Sequence, residues 1–231
     1  MNYVYALTRK AYEWALPSMR SLAEHDPKAR VFILAEDDEL PVTLPFKAEV
    51  INVTSQGYFP KDSINYNNDF TYINLLKVCY PYLLSVKKVI HLDADTIICD
   101  DPKPIWATNV TGKWVAACRE AKAYYRPFGD TYYNMGVALI NLDQMRKDDI
   151  MPKMIEYLNT VKQPFADQDA WNKYGLEQDK FVEIEPRWNE CFATGYSDDP
   201  GIVHFCGMHD WWTRQDFARK KYLDKYRGTG A

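Results

Sequence analysis

Asp93 and Asp95 stand two residues apart behind the apolar run of Val89, Ile90 and Leu92, in the stretch KKVIHLDADTIICDD. On an extended backbone, residues at that spacing point to the same side. Two ionised carboxylates aimed at one spot repel each other unless a proton or a cation lies between them. Carrying either one into an apolar layer is costly when nothing pairs with it. The pair therefore asks for a cation. Further along the chain stand Asn134, the acidic-amide run Asp167-Gln168-Asp169, and His204 closing an apolar strand.

The elements that must position these groups alternate between two periods. Residues 3–7, 30–35, 49–53, 88–93, 114–118, 135–142, 181–184 and 201–205 read as strands. The run RVFILA is continuous enough for a parallel strand covered on both faces. Helical spacing appears over residues 12–25, from Phe70 to Leu83 with Pro81 as a kink or stop, and near 148–161 and 167–174. Residues 54–68, aromatic and aperiodic, read as a long functional loop. Strands alternating with helices mean α/β layers around a mostly parallel sheet, in one domain. Such sheets bind ligands beyond the carboxyl ends of their strands, which is where Asp93 and Asp95 fall.

Composition narrows the class. With 47% hydrophobic and 15% aromatic residues, the chain is globular and not disordered. A formal charge of −4 gives no electrostatic reason to expect nucleic-acid binding. Five scattered cysteines without a CxxC, and an N-terminus that enters a strand directly, predict reduced thiols in a cytoplasmic protein. No apolar run is long enough to span a membrane.

VIHLDADTII fits two enzyme signatures. One is the D-x-D-x-T of phosphohydrolases, with the first Asp a nucleophile and the second a general acid–base. The other is the D-x-D of nucleotide-sugar glycosyltransferases, where both acids hold a metal on the donor diphosphate. Later motifs separate them: Leu7-Thr8 with Tyr12, Lys77, Asn134-x-Gly136, Asp167-Gln168-Asp169 and His204-Phe205-x-Gly207, in this order. From Leu7 to Trp212 the chain resembles glycosyltransferase family 8, the group of glycogenin and the lipooligosaccharide galactosyltransferases.

That resemblance implies a single GT-A, Rossmann-like nucleotide-binding domain over residues 1–213. It also implies retaining transfer of a hexose from a UDP-sugar, UDP-glucose or UDP-galactose, to a glycan, lipid or protein acceptor. Asp93, Asp95 and His204 would be metal ligands, and two hard carboxylates with one imidazole suit Mn²⁺ or Mg²⁺. Tyr12 would lie against the uracil, with Leu7 and Thr8 lining its pocket; a core aromatic is the other reading of Tyr12. Lys77 matches a basic position that contacts the donor. Asn134 and Asp167 would bind sugar hydroxyls, Gln168 would sit near the anomeric carbon, and Asn189 would support the ligands. Gly136, Asp169 and Gly207 come with the same motifs as donor-site positions.

The pattern breaks after the last glycine. Family members carry a lysine three residues beyond it, where this chain has Asp210, with His209 as a partial substitute. A catalytically weakened nucleotide-sugar-binding protein is therefore the alternative to an enzyme. Residues 214–231 read as a basic aromatic tail, with Arg214, Arg219, Lys220, Lys221, Phe217 and Tyr222. It suits either a solvated terminal helix or peripheral contact with an anionic membrane.

Overall fold

The computed structural model describes residues 1–38, 40–67, 70–121, 128–207 and 219–227. Along them run β1 (Asn2–Leu7), α1 (Tyr12–His25), β2 (Arg30–Ala35), β3 (Ala48–Asn52), α2 (Thr71–Leu75) and α3 (Tyr80–Leu83). Then come β4 (Lys88–Leu92), β5 (Thr96–Ile98), α4 (Lys103–Ala107), β6 (Val115–Arg119) and β7 (Tyr133–Asn141). The chain continues through α5 (Leu142–Asp148), α6 (Met151–Thr160), α7 (Asp167–Glu177), β8 (Phe181–Ile184), β9 (Ile202–His204) and α8 (Lys220–Tyr226).

Seven strands form one sheet in the order β3-β2-β1-β4-β7-β6-β8. It is mostly parallel, with β7 running against both its neighbours, β4 and β6. Strand alternation divides the core. Val4, Phe32 and Leu34 face one side with Met154, Leu158 and Trp171 of α6 and α7. Tyr3, Tyr5, Val31 and Ile33 face the other, against Ala15, Met19 and Leu22 of α1. Layers of helix on both faces explain why the central strands read as unbroken apolar runs.

A second, two-stranded sheet matters more for function. Antiparallel β5 and β9 set Thr96 opposite His204 and Ile98 opposite Ile202. That register carries a residue from late in the chain to the end of β4. Beneath it, Leu223 and Tyr226 of α8 pack with Ile97, Val203 and Phe205. Arg20 of α1 donates to the carbonyls of Tyr226 (2.8 Å) and Arg227 (2.9 Å). The described part of the expected tail, 219–227, is thus a helix docked on the domain. Phe217 and Arg214 lie outside the described residues, as do His209 and Asp210.

The described part of the expected loop, 54–67, carries no helix or strand. None of the described residues 54–67 lines the cleft discussed below. Asn65, fully buried, holds this segment to the end of α6: its amide donates to the carbonyls of Leu158 (2.6 Å) and Val161 (2.7 Å) and its oxygen accepts from Gln163 N–H (2.8 Å). Each buried partner left unpaired costs about 1–3 kcal/mol. Asn65→Ala is therefore expected to lower stability by about 2–4 kcal/mol. In urea unfolding this appears as a lower midpoint with an unchanged slope.

Candidate active site

The carboxyl ends of β1 and β4 and the start of β7 open on a cleft of about 550 Å³. Its lining includes Thr8, Lys77, Asp93, Asp95, Asn134, Asp167, Gln168, His204 and Gly207. Residues spread across the whole chain meet there because these three strand ends and the β5–β9 pairing converge on it.

Asp93, Asp95 and His204 each offer a ligand atom, and these atoms lie within 4.8 Å of one another. His204 Nε2 is 3.2 Å from Asp95 Oδ1 and 3.8 Å from Asp93 Oδ2. Burial works against a charged imidazole, yet Asp95 and Asp93 outweigh it and lift His204 to about 9. The carboxylates thus favour a positive charge at this point. The other ring nitrogen, Nδ1, donates to buried Asn189 Oδ1 at 2.7 Å, which leaves Nε2 to serve as a ligand. Asn189 in turn donates to Asn134 Oδ1 (2.8 Å), which also accepts from Gly136 N–H (3.1 Å). Two hard oxygen donors and one oriented imidazole fit Mn²⁺ or Mg²⁺.

Asp93 is held from behind. Its Oδ1 accepts from Lys77 Nζ at 2.7 Å and from His91 Nε2 at 2.9 Å, leaving Oδ2 toward His204. Burial, with the Lys77 charge added, depresses His91 to about 4, so its ring is neutral. The Nε2–H tautomer then donates to Asp93, and Nδ1 accepts from Tyr80 O–H at 2.9 Å. Burial would push the Asp93 carboxyl up, but Lys77, His91 and His204 together hold it well below the carboxylate range.

Lys77 is buried between Asp93 and Asp167, 4.0 Å from the latter's Oδ2. Burial favours its neutral form, but Asp167 and Asp93 keep it protonated and raise its pKa. Asp167 is lifted to about 7, chiefly by burial, with Lys77 pulling the other way. Its Oδ2 has no hydrogen-bond partner although it is buried. Gln168 is pinned: its Oε1 accepts from Met135 N–H (2.9 Å) and its Nε2 donates to Glu120 Oε1 (3.4 Å). Glu120, which also accepts from Asn134 Nδ2 at 3.0 Å, is raised by burial.

Several expected positions lie elsewhere. Leu7 and Tyr12 do not line the cleft; they pack in the core with Met19 and Ile33, because α1 turns Tyr12 inward against β1. The cleft wall on that side is Ala6, Thr8, Ala11 and exposed Trp14. Asp169 is fully buried, accepting from Tyr132 O–H (2.7 Å) and Phe165 N–H (2.9 Å). It braces the start of α7 and does not face the cleft. Gly136 makes room: an added Cβ would lie 2.1 Å from His204 Cε1. Glu120, Trp14 and Phe192 are absent from the sequence-based expectation; for Glu120 the available signal is an acid two residues beyond the strand WVAAC.

A family model for glycosyl transferase family 8 matches residues 35–216. The chain is similar to General stress protein A of Bacillus subtilis, 28% identical over 172 residues, covering 62% of this chain and 58% of that protein. It is similar to Glycosyltransferase GlyA of Streptococcus pneumoniae, 26% identical over 245 residues, covering 96% of this chain and 33% of that protein. The chain thus spans little over half the length of the first relative and a third of the second. In fold it is similar to the galactosyltransferase LgtC crystallised with donor and acceptor sugar analogs, with a TM-score of 0.73 at 19% identity, covering 97% of this chain and 94% of that one.

Proposed function

The chain belongs to glycosyltransferase family 8, and from that premise we propose that it is a retaining hexosyltransferase drawing on a UDP-sugar, UDP-glucose or UDP-galactose. The observation that carries the reading is the convergence of Asp93, Asp95 and His204 in a cleft also lined by Lys77, Asp167 and Gln168. The acceptor is a hydroxyl of a glycan, lipid or protein.

Asp93, Asp95 and His204 would hold Mn²⁺ or Mg²⁺, whose chemistry when bound is to neutralise charge on the departing diphosphate. Lys77 fixes Asp93 and keeps a positive charge beside the donor. Asp167, with its unpartnered oxygen, accepts a sugar hydroxyl and so orients the ring. Gln168 lies at the reacting carbon, held there by Met135 N–H and Glu120. An amide is a poor nucleophile, which favours front-side attack with the leaving phosphate as base over a covalent glycosyl-enzyme. The phosphohydrolase reading accounts for none of the later residues that share this cleft with Asp93, Asn134, Asp167, Gln168 and His204 among them.

Release of UDP from a UDP-sugar in the presence of Mn²⁺ separates the enzyme from a nucleotide-sugar-binding protein. Given turnover, proton NMR of the first-formed product should show the donor's α configuration kept. A β-linked product from an α-linked donor overturns the retaining mechanism. Gln168→Ala is expected to lower kcat about 10–100-fold and leave a measurable remnant, because this side chain supports a cation and forms no bond. A covalent adduct trapped on any side chain contradicts that role.

A further inference from the structure

Two thiols converge on the imidazole that serves the carboxylate site. Cys191 follows the 3-10 turn Pro186–Asn189, and Cys206 follows β9. Their two sulfur atoms and a ring nitrogen of His204 all lie within 4.8 Å of one another. The backbone builds this convergence: His204 N–H donates to Glu190 O (2.9 Å) and Glu190 N–H to Ile202 O (2.9 Å), laying residues 190–191 alongside β9. Cys191 is buried and steadied by Thr194 Oγ1 at 3.4 Å, whereas Cys206 is half-buried on the cleft wall. All five cysteines of the chain are free thiols, so both sulfurs are available.

Two thiolates with one imidazole make a soft donor set, suited to tetrahedral Zn²⁺ and poorly matched to Mn²⁺ or Mg²⁺. We propose that Cys191, Cys206 and His204 form a second ion site for a thiophilic divalent cation of the Zn²⁺ class, sharing His204 with the carboxylate site. Binding replaces the two thiol protons, which leave to solvent, and the remaining coordination position opens on the cleft past Cys206. Both His204 nitrogens already have partners, Asn189 at 2.7 Å and Asp95 at 3.2 Å. The Asp95 contact is the one on the cleft and the one that yields. The imidazole therefore serves one ion at a time, and a thiophilic ion at the sulfurs removes a ligand from the hard-ion site.

The test uses fully reduced protein and needs no turnover, so it stands apart from the glycosyltransferase reading. Cd²⁺ is titrated as the probe while thiolate-to-metal charge-transfer absorption is followed, and Zn²⁺ is then added in competition. One equivalent with a two-thiolate band is expected, displaced by Zn²⁺, with the band lost in Cys191→Ser and Cd²⁺ affinity at least tenfold weaker in His204→Ala. An undiminished two-thiolate band in the Cys191→Ser/Cys206→Ser double variant places the ion on Cys79, Cys99 or Cys118 and overturns the proposal, as does a wild type without a band. If Cys191→Ser does not fold, Cys206→Ser carries the same comparison. Mn²⁺ paramagnetic resonance gives a second readout: Cys191→Ser should need at least tenfold more Zn²⁺ than wild type to release bound Mn²⁺. Equal concentrations also overturn it.

Discussion

Asp95→Asn is expected to abolish transfer, by about 10³-fold or more in kcat/KM, while the protein stays folded. A tenfold change is about 1.4 kcal/mol, so this asks roughly 4 kcal/mol of one ligand, within what a metal acting as a Lewis acid contributes. Asp95 is a cleaner target than Asp93. Replacing Asp93 would also strand buried Lys77 and break the His91 contact. Among the described residues, Asp95 Oδ1 pairs with the His204 side chain alone, and its backbone carbonyl still accepts from Phe205 N–H at 2.9 Å. Asparagine keeps the shape and removes the charge. A melting temperature within a few degrees of wild type, with Mn²⁺ affinity and turnover lost together, is the expected pair of results. Full activity in the variant, or in wild type with EDTA, rejects the metal reading.

The parts of the fold that were legible in the sequence are those where one period dominates. Val31–Ala35 is an unbroken apolar run, and Val89, Ile90 and Leu92 nearly are one, because helices cover both faces of the sheet; α1 declares itself by its buried face of Ala15, Met19 and Leu22. Strand direction is not encoded in periodicity, so the antiparallel insertion of β7 between β4 and β6 could not be read. Leu142 reads as the end of a strand. In the structure it begins α5, because Asn141 caps the helix by accepting from Gln144 N–H at 3.2 Å. The helix expected near 148–161 is α6, and Asp149, in the left-handed region at φ 47°, separates it from α5. The helical spacing from Phe70 to Leu83 breaks into α2, a 3-10 turn over Leu76–Cys79 and α3, the last with Pro81 in its first turn.

The site divides in the same way. Residues with a strong local signature, Asp93 and Asp95, announce themselves by spacing alone. Lys77, Gln168 and His204 carry no local sign of function; the 3-10 turn Leu76–Cys79, the α7 start and the β5–β9 register respectively bring them to the cleft. Polar residues in a motif need not face its ligand: Asp169 spends both oxygens on Tyr132 and Phe165, and Tyr12 turns into the core. The supporting chain Tyr80–His91–Asp93 was invisible because a histidine inside an apolar strand looks like any other core residue.

Gly136 gives the sharpest test of how the cleft is supported. Its motif places it at the donor, but its surroundings give it a different task. An added Cβ would sit 2.1 Å from His204 Cε1 and 2.7 and 2.8 Å from the two ring nitrogens. The ring cannot retreat cheaply, since it is buried and tied to Asn189. The backbone cannot yield easily either, because Gly136 O accepts Asp93 N–H at 2.8 Å. Gly136→Ala should therefore push the imidazole off its hydrogen bond and away from the two carboxylates. Overpacking of this kind costs about 1–3 kcal/mol of stability. Mn²⁺ affinity should fall about 100-fold, the upper end of what losing a ligand's outer hydrogen bond costs, because here the ligand itself moves. Asn189→Ala, which removes the hydrogen bond without the push, should cost about tenfold. If Gly136 acts only through His204, then Gly136→Ala in a His204→Ala background should bring little further loss and be destabilised less than the single change. Calorimetric titration of Mn²⁺ on wild type and the four variants decides the matter. Undiminished Mn²⁺ affinity in Gly136→Ala with weakened donor binding would return Gly136 to the donor site.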